Sequence, residues 1–211
     1  MNQGLRQRQK ASRHARILEV ARAYFQTNGF ANVTIEEIAR DSDLSVATVY
    51  NYFGTKAGIL LALVSESDEI LLAELDAMIR AHRGGLVPAM LEFGRVLRRH
   101  AMSYLQKPTW REILSASIHE GSADFGKTYV ALDTVLIGKL SMLIKTLQAD
   151  GTVAPQIDAD ALADCLFSLQ NIRFFQFIAD DEVSLDRADQ LFRQDLEQLG
   201  LLFGSAGYRA D

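Results

Sequence analysis

Sulfur and metal-ligand chemistry have little to work with in this chain. Its single cysteine, Cys165, excludes an internal disulfide and a cysteine-built metal cage, and fits a reducing cytoplasm. The four histidines, His14, His82, His100 and His119, are scattered, with no pair at the spacing of a helical zinc site. There is no Gly-x-Gly-x-x-Gly, no Gly-rich loop closing in Gly-Lys-Ser/Thr and no Gly-x-Ser-x-Gly elbow. These absences argue against an enzyme, and no cofactor or metal is expected. No apolar run approaches the roughly 18 residues of a membrane span. The N-terminus is polar and basic without the apolar core of a signal peptide, so a cytoplasmic protein with no membrane partner is expected. Proline is also scarce, at three residues, and polar and β-branched residues never alternate for long. Helix is what this pattern supports, and the expected fold class is all-α.

What is present is unevenly placed. Over 211 residues the formal net charge is −5, which on its own argues against a polyanion as partner. Residues 1–60, however, carry eight Lys/Arg against five Asp/Glu, with Arg6, Arg8, Lys10, Arg13 and Arg16 at the front. Phosphate attraction follows the local field rather than the total, so a basic head on an acidic body stays compatible with DNA. A solubilising tail is the plainer reading of the same residues.

Behind that basic segment lies Thr34 to Lys56, TIEEIARDSDLSVATVYNYFGTK, around which the chain is organised. Thr34 with Glu37 is a capping-box pair, and Ile35, Ile38 and Ala39 fall on one face of the short helix that follows. Asp41-Ser42-Asp43 interrupts the period with turn formers. Ser45 then caps a second helix with Val49 and Phe53 inward, Ala47, Thr48 and Asn51 outward and Tyr50 at the edge. So small an inner face cannot stabilise a helix alone, so neighbours must carry it. A short helix held on a scaffold with small polar and aromatic groups outward suits the major groove of DNA.

At these residues the chain resembles the TetR family of bacterial transcriptional regulators. The resemblance is carried by Thr34, Ile38-Ala39, Leu44-Ser45, the run Ala47 to Phe53, and Lys56. It covers the first quarter of the chain; the family often has Gly where this chain has Asp43, a residue that tolerates a left-handed turn. The resemblance implies a helix-turn-helix domain over 1–56 and an effector-binding and dimerisation domain over 57–211. It implies backbone contacts with double-stranded operator DNA by Thr34, Thr48, Asn51, Tyr52 and Lys56, with the cap residue Ser45 among the DNA-binding set. Over base edges it places Val46, Ala47 and Tyr50, with Glu36 able to reach one further base.

In chain order, a disordered arm is expected to Ala11 and a first helix from Ser12 to Asn28 with Ile17, Leu18, Ala21 and Phe25 inward. Thr55 caps a long fourth helix, Pro88 sits in the first turn of a fifth, and a sixth starts at Pro108. A seventh runs from about Lys127 to Asp150, an eighth from Asp158, and a ninth from the cap Ser184. The eighth is apolar almost all round, and Cys165 amid Leu162, Leu166 and Leu169 reads as a small buried hydrophobe. Pairing the last two helices with a second copy would cover both, and the resemblance likewise makes them the homodimer interface.

The resemblance further implies a small-molecule cavity enclosed by helices 4 to 8. In this chain it would draw on Phe93, Leu97, Met102, Tyr104, Trp110, Ile113, Leu114, His119, Phe125, Phe167, Gln170, Asn171 and Phe174. Aromatic walls with few polar groups favour a mostly apolar effector. The expected function is therefore a ligand-responsive, dimeric DNA-binding regulator, most simply a repressor. The alternative is a helical small-molecule-binding protein or enzyme whose basic N-terminus only solubilises it.

Overall fold

The computed structural model describes residues 2–119 and 124–204, without side chains at 2, 3, 67, 68, 119, 124–126, 128 and 201–204. The helices are α1 (Asn2–Asn28), α2 (Ile35–Asp41), α3 (Val46–Phe53), α4 (Lys56–Ala81) and α5 (Leu86–Tyr104). They continue as α6 (Lys107–His119), α7 (Asp124–Ala149), α8 (Ala159–Ala179) and α9 (Leu185–Gly204). A 3₁₀ turn, Phe30–Asn32, follows α1, and no strand occurs among the described residues.

Two compact units result, residues 1–68 with 104–132, and residues 69–103 with 133–211. Helices α4 and α7 each contribute residues to both. In the first unit Ile17, Leu18, Ala21 and Phe25 of α1 are buried with Val33, Ile35, Ile38, Ala39 and Val49. Burying one such aliphatic side chain contributes about 1.5–3 kcal/mol. Helix α2 has seven residues, too few to be stable alone, so this anchoring outweighs its cap at about 1 kcal/mol. In the second unit Leu75, Met90, Phe93, Leu140, Leu143, Ile144, Phe167 and Phe192 lie in one continuous apolar cluster drawn from α4, α5, α7, α8 and α9.

Arg98 of α5 is 0% exposed within that unit. Its Nε and Nη2 donate to Asp189 Oδ1 of α9 at 2.8 and 2.5 Å, and its Nη1 donates to Gln170 Oε1 of α8 at 2.8 Å. A buried guanidinium left unpaired would be prohibitive, so this network fixes which faces of α8 and α9 turn inward.

Two expectations change here. Helix α1 starts at Asn2, not Ser12, because residues 5–13 contain Arg, Gln, Lys and Ala and no breaker to stop the helix. Helix α4 ends at Ala81 and α5 at Tyr104. Cys165 is exposed, since α8 turns Leu166 and Phe167 inward and leaves that side uncovered. Of the candidate cavity residues, His119 and Phe125 lie outside the described side chains.

Candidate functional site

The helix-turn-helix is built by caps as its sequence expects. Thr34 N–H donates to Glu37 Oε2 at 2.9 Å, and Glu37 N–H donates to Thr34 Oγ1 at 3.3 Å, closing the capping box at α2. The Thr34 amide first, and then its hydroxyl at 2.9 Å from Oε2, hold the Glu37 carboxyl below its ordinary pKa. Asp43 adopts φ 57°, the left-handed turn that lets α3 follow α2. Ser45 Oγ accepts the Thr48 N–H at 3.2 Å and shares a 2.7 Å hydrogen bond with the Thr48 hydroxyl.

Helix α3 buries Val49 and exposes Ser45, Ala47, Tyr50 and Asn51, with Val46, Thr48 and Tyr52 half-buried. Tyr50 is 47% exposed, unusual for a large aromatic side chain without a partner to meet. Glu36 stands exposed on the first turn of α2. Val46, Ala47, Tyr50 and Asn51 thus share an outward strip, while Phe53 packs against the His14 ring at 4.8 Å.

The turn into α4 is equally specified. Gly54 takes φ 69° as it leaves α3, a conformation costly for side chains with a Cβ. At Gly58 an added Cβ would lie 2.0 Å from the Phe53 carbonyl oxygen, so only glycine fits. Thr55 Oγ1 accepts the Gly58 N–H at 2.9 Å, the cap foreseen for α4.

Lys56 does more than its motif position suggests. Its ammonium donates to the Phe30 and Val33 carbonyls at 2.7 and 2.8 Å and lies 4.3 Å from the Phe30 ring centroid. Burial lowers its pKa, opposed by the field of Glu112. Its third contact, to the Ala31 carbonyl at 3.5 Å, is long and is the one a phosphate would displace.

Two contacts in the head could not be read from spacing. Arg22 of α1 donates to Glu66 of α4 at 2.6 Å and to the Tyr104 hydroxyl at 2.7 Å. The N-terminal half of α1 also forms an open groove of about 350 Å³ with Tyr52, lined by Gln7, Lys10, Ala11 and His14.

The sequence-predicted cavity residues divide between the two compact units. Tyr104, Trp110, Ile113 and Leu114 belong to the first compact unit, while Phe93, Leu97, Met102, Phe167, Gln170, Asn171 and Phe174 belong to the second. Gln170 is committed to Arg98, and Tyr104 receives Arg22. Asn171 Nδ2 instead donates to Asp133 Oδ2 of α7 at 3.2 Å. Burial pushes the Asp133 carboxyl up to about 6, with the Asn171 bond opposing the shift. Asp133 is a residue the sequence reading passed over. Its signal was faint: it is the one acid between Phe125 and Ala149, in a largely apolar helix.

Residues 17–63 match the family model described as bacterial regulatory proteins, tetR family. These residues are a TetR-family N-terminal domain. The match coincides with the caps, turn and outward strip described above. YttP of Bacillus subtilis, described as a probable HTH-type transcriptional regulator, is 39% identical over 57 residues, which are 27% of this chain and 28% of that protein. The chain therefore matches less than a third of that relative's length. Solved TetR-family folds match far more of the chain. Thermus thermophilus FadR, a TetR-family transcriptional repressor in complex with lauroyl-CoA, has a TM-score of 0.68 at 21% identity, covering 93% of this chain and 97% of that one. A Saccharomonospora viridis protein described as a transcriptional regulator, in complex with choline, has a TM-score of 0.63 at 23% identity, covering 89% and 96%. At those identities the likeness establishes the fold.

Proposed function

We propose that this chain is a homodimeric, ligand-responsive TetR-family repressor that occupies a pseudo-palindromic operator. The observation that carries this reading is the exposed strip of α3, where Ala47, Tyr50 and Asn51 face outward on a capped helix whose single buried residue is Val49. We keep residues 1–56 as the DNA-binding part and 57–211 as the effector-binding and dimerisation part. Thr34, Ser45, Thr48, Asn51, Tyr52 and Lys56 meet phosphates, and Glu36, Val46, Ala47 and Tyr50 face bases. Two heads must reach successive major grooves roughly 34–36 Å apart. An effector that favours another head spacing releases the DNA by shifting that equilibrium. The complexes of FadR with lauroyl-CoA and of the Saccharomonospora protein with choline support an effector with an apolar part.

Val46 and Ala47 have no side-chain hydrogen-bonding atoms, so they read the thymine methyl group, with Tyr50 adding a hydroxyl. Selection of bound duplexes from a random pool should return inverted half-sites containing thymine, competed by the effector. Replacing those thymines with uracil should weaken wild-type binding and be nearly harmless to Val46→Ala. If uracil changes nothing while removal of residues 1–11 destroys specificity, readout is by DNA shape and the assignment of Val46 fails. If no sequence is enriched, the DNA-binding reading itself fails.

A further inference from the structure

The second compact unit supplies a cation to most of its half-buried carboxylates. Asp189 is paired with Arg95 and Arg98, Asp195 with Arg173, and Asp76 with Lys139. Asp133 breaks this rule. Among the described residues its one polar partner is the neutral amide of Asn171, at 3.2 Å on Oδ2. Both side chains are half-buried, and neither takes a further hydrogen bond among the described residues. A carboxylate and an amide thus meet between two helices whose other residues are largely apolar.

The surroundings match a ligand's chemistry. On α8, Phe167 and Phe174 stand one turn either side of Asn171 and are buried. On α7, Leu136 and Ile137 stand one turn beyond Asp133 and pack on the apolar cluster. A desolvated carboxylate without a counter-charge destabilises its own fold, as the upward shift of its pKa indicates. Natural chains retain such a group where a partner arrives later.

We propose that Asp133 and Asn171 form the polar end of the effector site and take a cationic amine or quaternary ammonium head group. The apolar body of that ligand lies toward Phe167 and Phe174. The inference rests on the reading of the chain as an effector-responsive regulator, and it adds the sign of the effector's charge. An ammonium would meet the carboxylate in a partly desolvated site, where the attraction is much stronger than in water. An anionic head group would meet repulsion there, and a neutral one would leave the carboxylate unpaired.

Three probes of equal chain length separate the possibilities: decyltrimethylammonium, decanol and decanoate, each below its micelle concentration. Binding to the full-length protein is measured by calorimetry, and release of selected DNA by gel shift. Decyltrimethylammonium should bind wild-type protein at least about tenfold more tightly than either other probe, and tenfold corresponds to about 1.4 kcal/mol. It should also lower the Asp133 carboxyl pKa in a carbon-13 titration, which a structural role would not produce. Asp133→Asn should fold, bind DNA and lose the preference, while Asp133→Glu should keep part of it. Equal or tighter binding of decanol or decanoate overturns the assignment of charge and leaves an effector site standing. Retention of the preference by Asp133→Asn overturns the assignment of the residue. If no probe binds or releases DNA, the effector reading fails and this inference falls with it.

Discussion

At the scale of single residues, Lys56 and Asp133 each carry a measurable consequence. Lys56 holds the Phe30 and Val33 carbonyls with two short bonds, and only its long bond to Ala31 competes with a phosphate. Lys56→Ala should therefore weaken binding to every duplex alike and reduce the slope of log K against log salt by about 1. It should also lower the melting temperature, because two carbonyls lose a charged donor. An unchanged slope with lowered stability would assign Lys56 wholly to the loop. For Asp133 the sign runs the other way from most carboxylates. Its folded pKa, about 6, lies above the ordinary 3.8. The stability this group contributes is complete below the unfolded pKa and is lost as pH rises through the folded one. Asp133→Asn should then be more stable than wild type at pH 7.5, by about 1–3 kcal/mol after solvent screening. The difference should shrink as pH falls below the folded pKa and vanish at about pH 3, under the unfolded value, in denaturant titrations. A variant less stable at pH 7.5 would mean that the carboxylate has a cationic partner.

At the scale of elements, local signals were legible and long-range ones were not. The caps at Thr34, Ser45 and Thr55 each join residues three apart, so spacing alone placed them. The inner face of α1 followed from its period in the same way. The start of α1 did not, because charged helix formers look alike in a helix and in a solvated arm. Arg98 and Asp189 are 91 positions apart and Asp133 and Asn171 are 38 apart, so no periodicity links either pair. The exposed side of α8 was hidden for another reason: a helix apolar all round does not say which side its own chain covers. The turn between α2 and α3 is the element with a stored cost. At φ 57°, Asp43 gives up about 1 kcal/mol relative to a residue free of Cβ crowding. Asp43→Gly should thus leave stability unchanged or raise it by up to about 1 kcal/mol, whereas β-branched Asp43→Val should lower it by more than that. Thermal melts of both variants check this, and a stabilised Val variant would show that the turn is not strained.

At the scale of the whole molecule, dimerisation must be tested where an apolar surface is available. Phe192 of α9 is buried at 0% exposure in its own chain, with the Arg98 guanidinium 5.3 Å from its ring centroid. Phe192→Asp should simply unfold the protein, which says nothing about a partner. Helix α8 offers better positions. Ile172 is 49% exposed and Phe175 is 44% exposed, and with Cys165 and Ser168 they follow one helical face. Burying such side chains in both copies contributes about 1.5–3 kcal/mol each, enough to matter for association. A carboxylate at either position would cost little in an isolated chain, because water reaches it. In a paired α8–α9 seam the same carboxylate would be buried unpaired, at several kcal/mol. Ile172→Asp and Phe175→Asp should therefore keep the helical circular dichroism of the wild type, sediment as monomers, and lose tight binding to a two-half-site operator. Residual binding to a single half-site should keep its salt dependence, since each head is intact. If both variants remain folded dimers, α8 does not form the seam and its exposed apolar face must serve another partner.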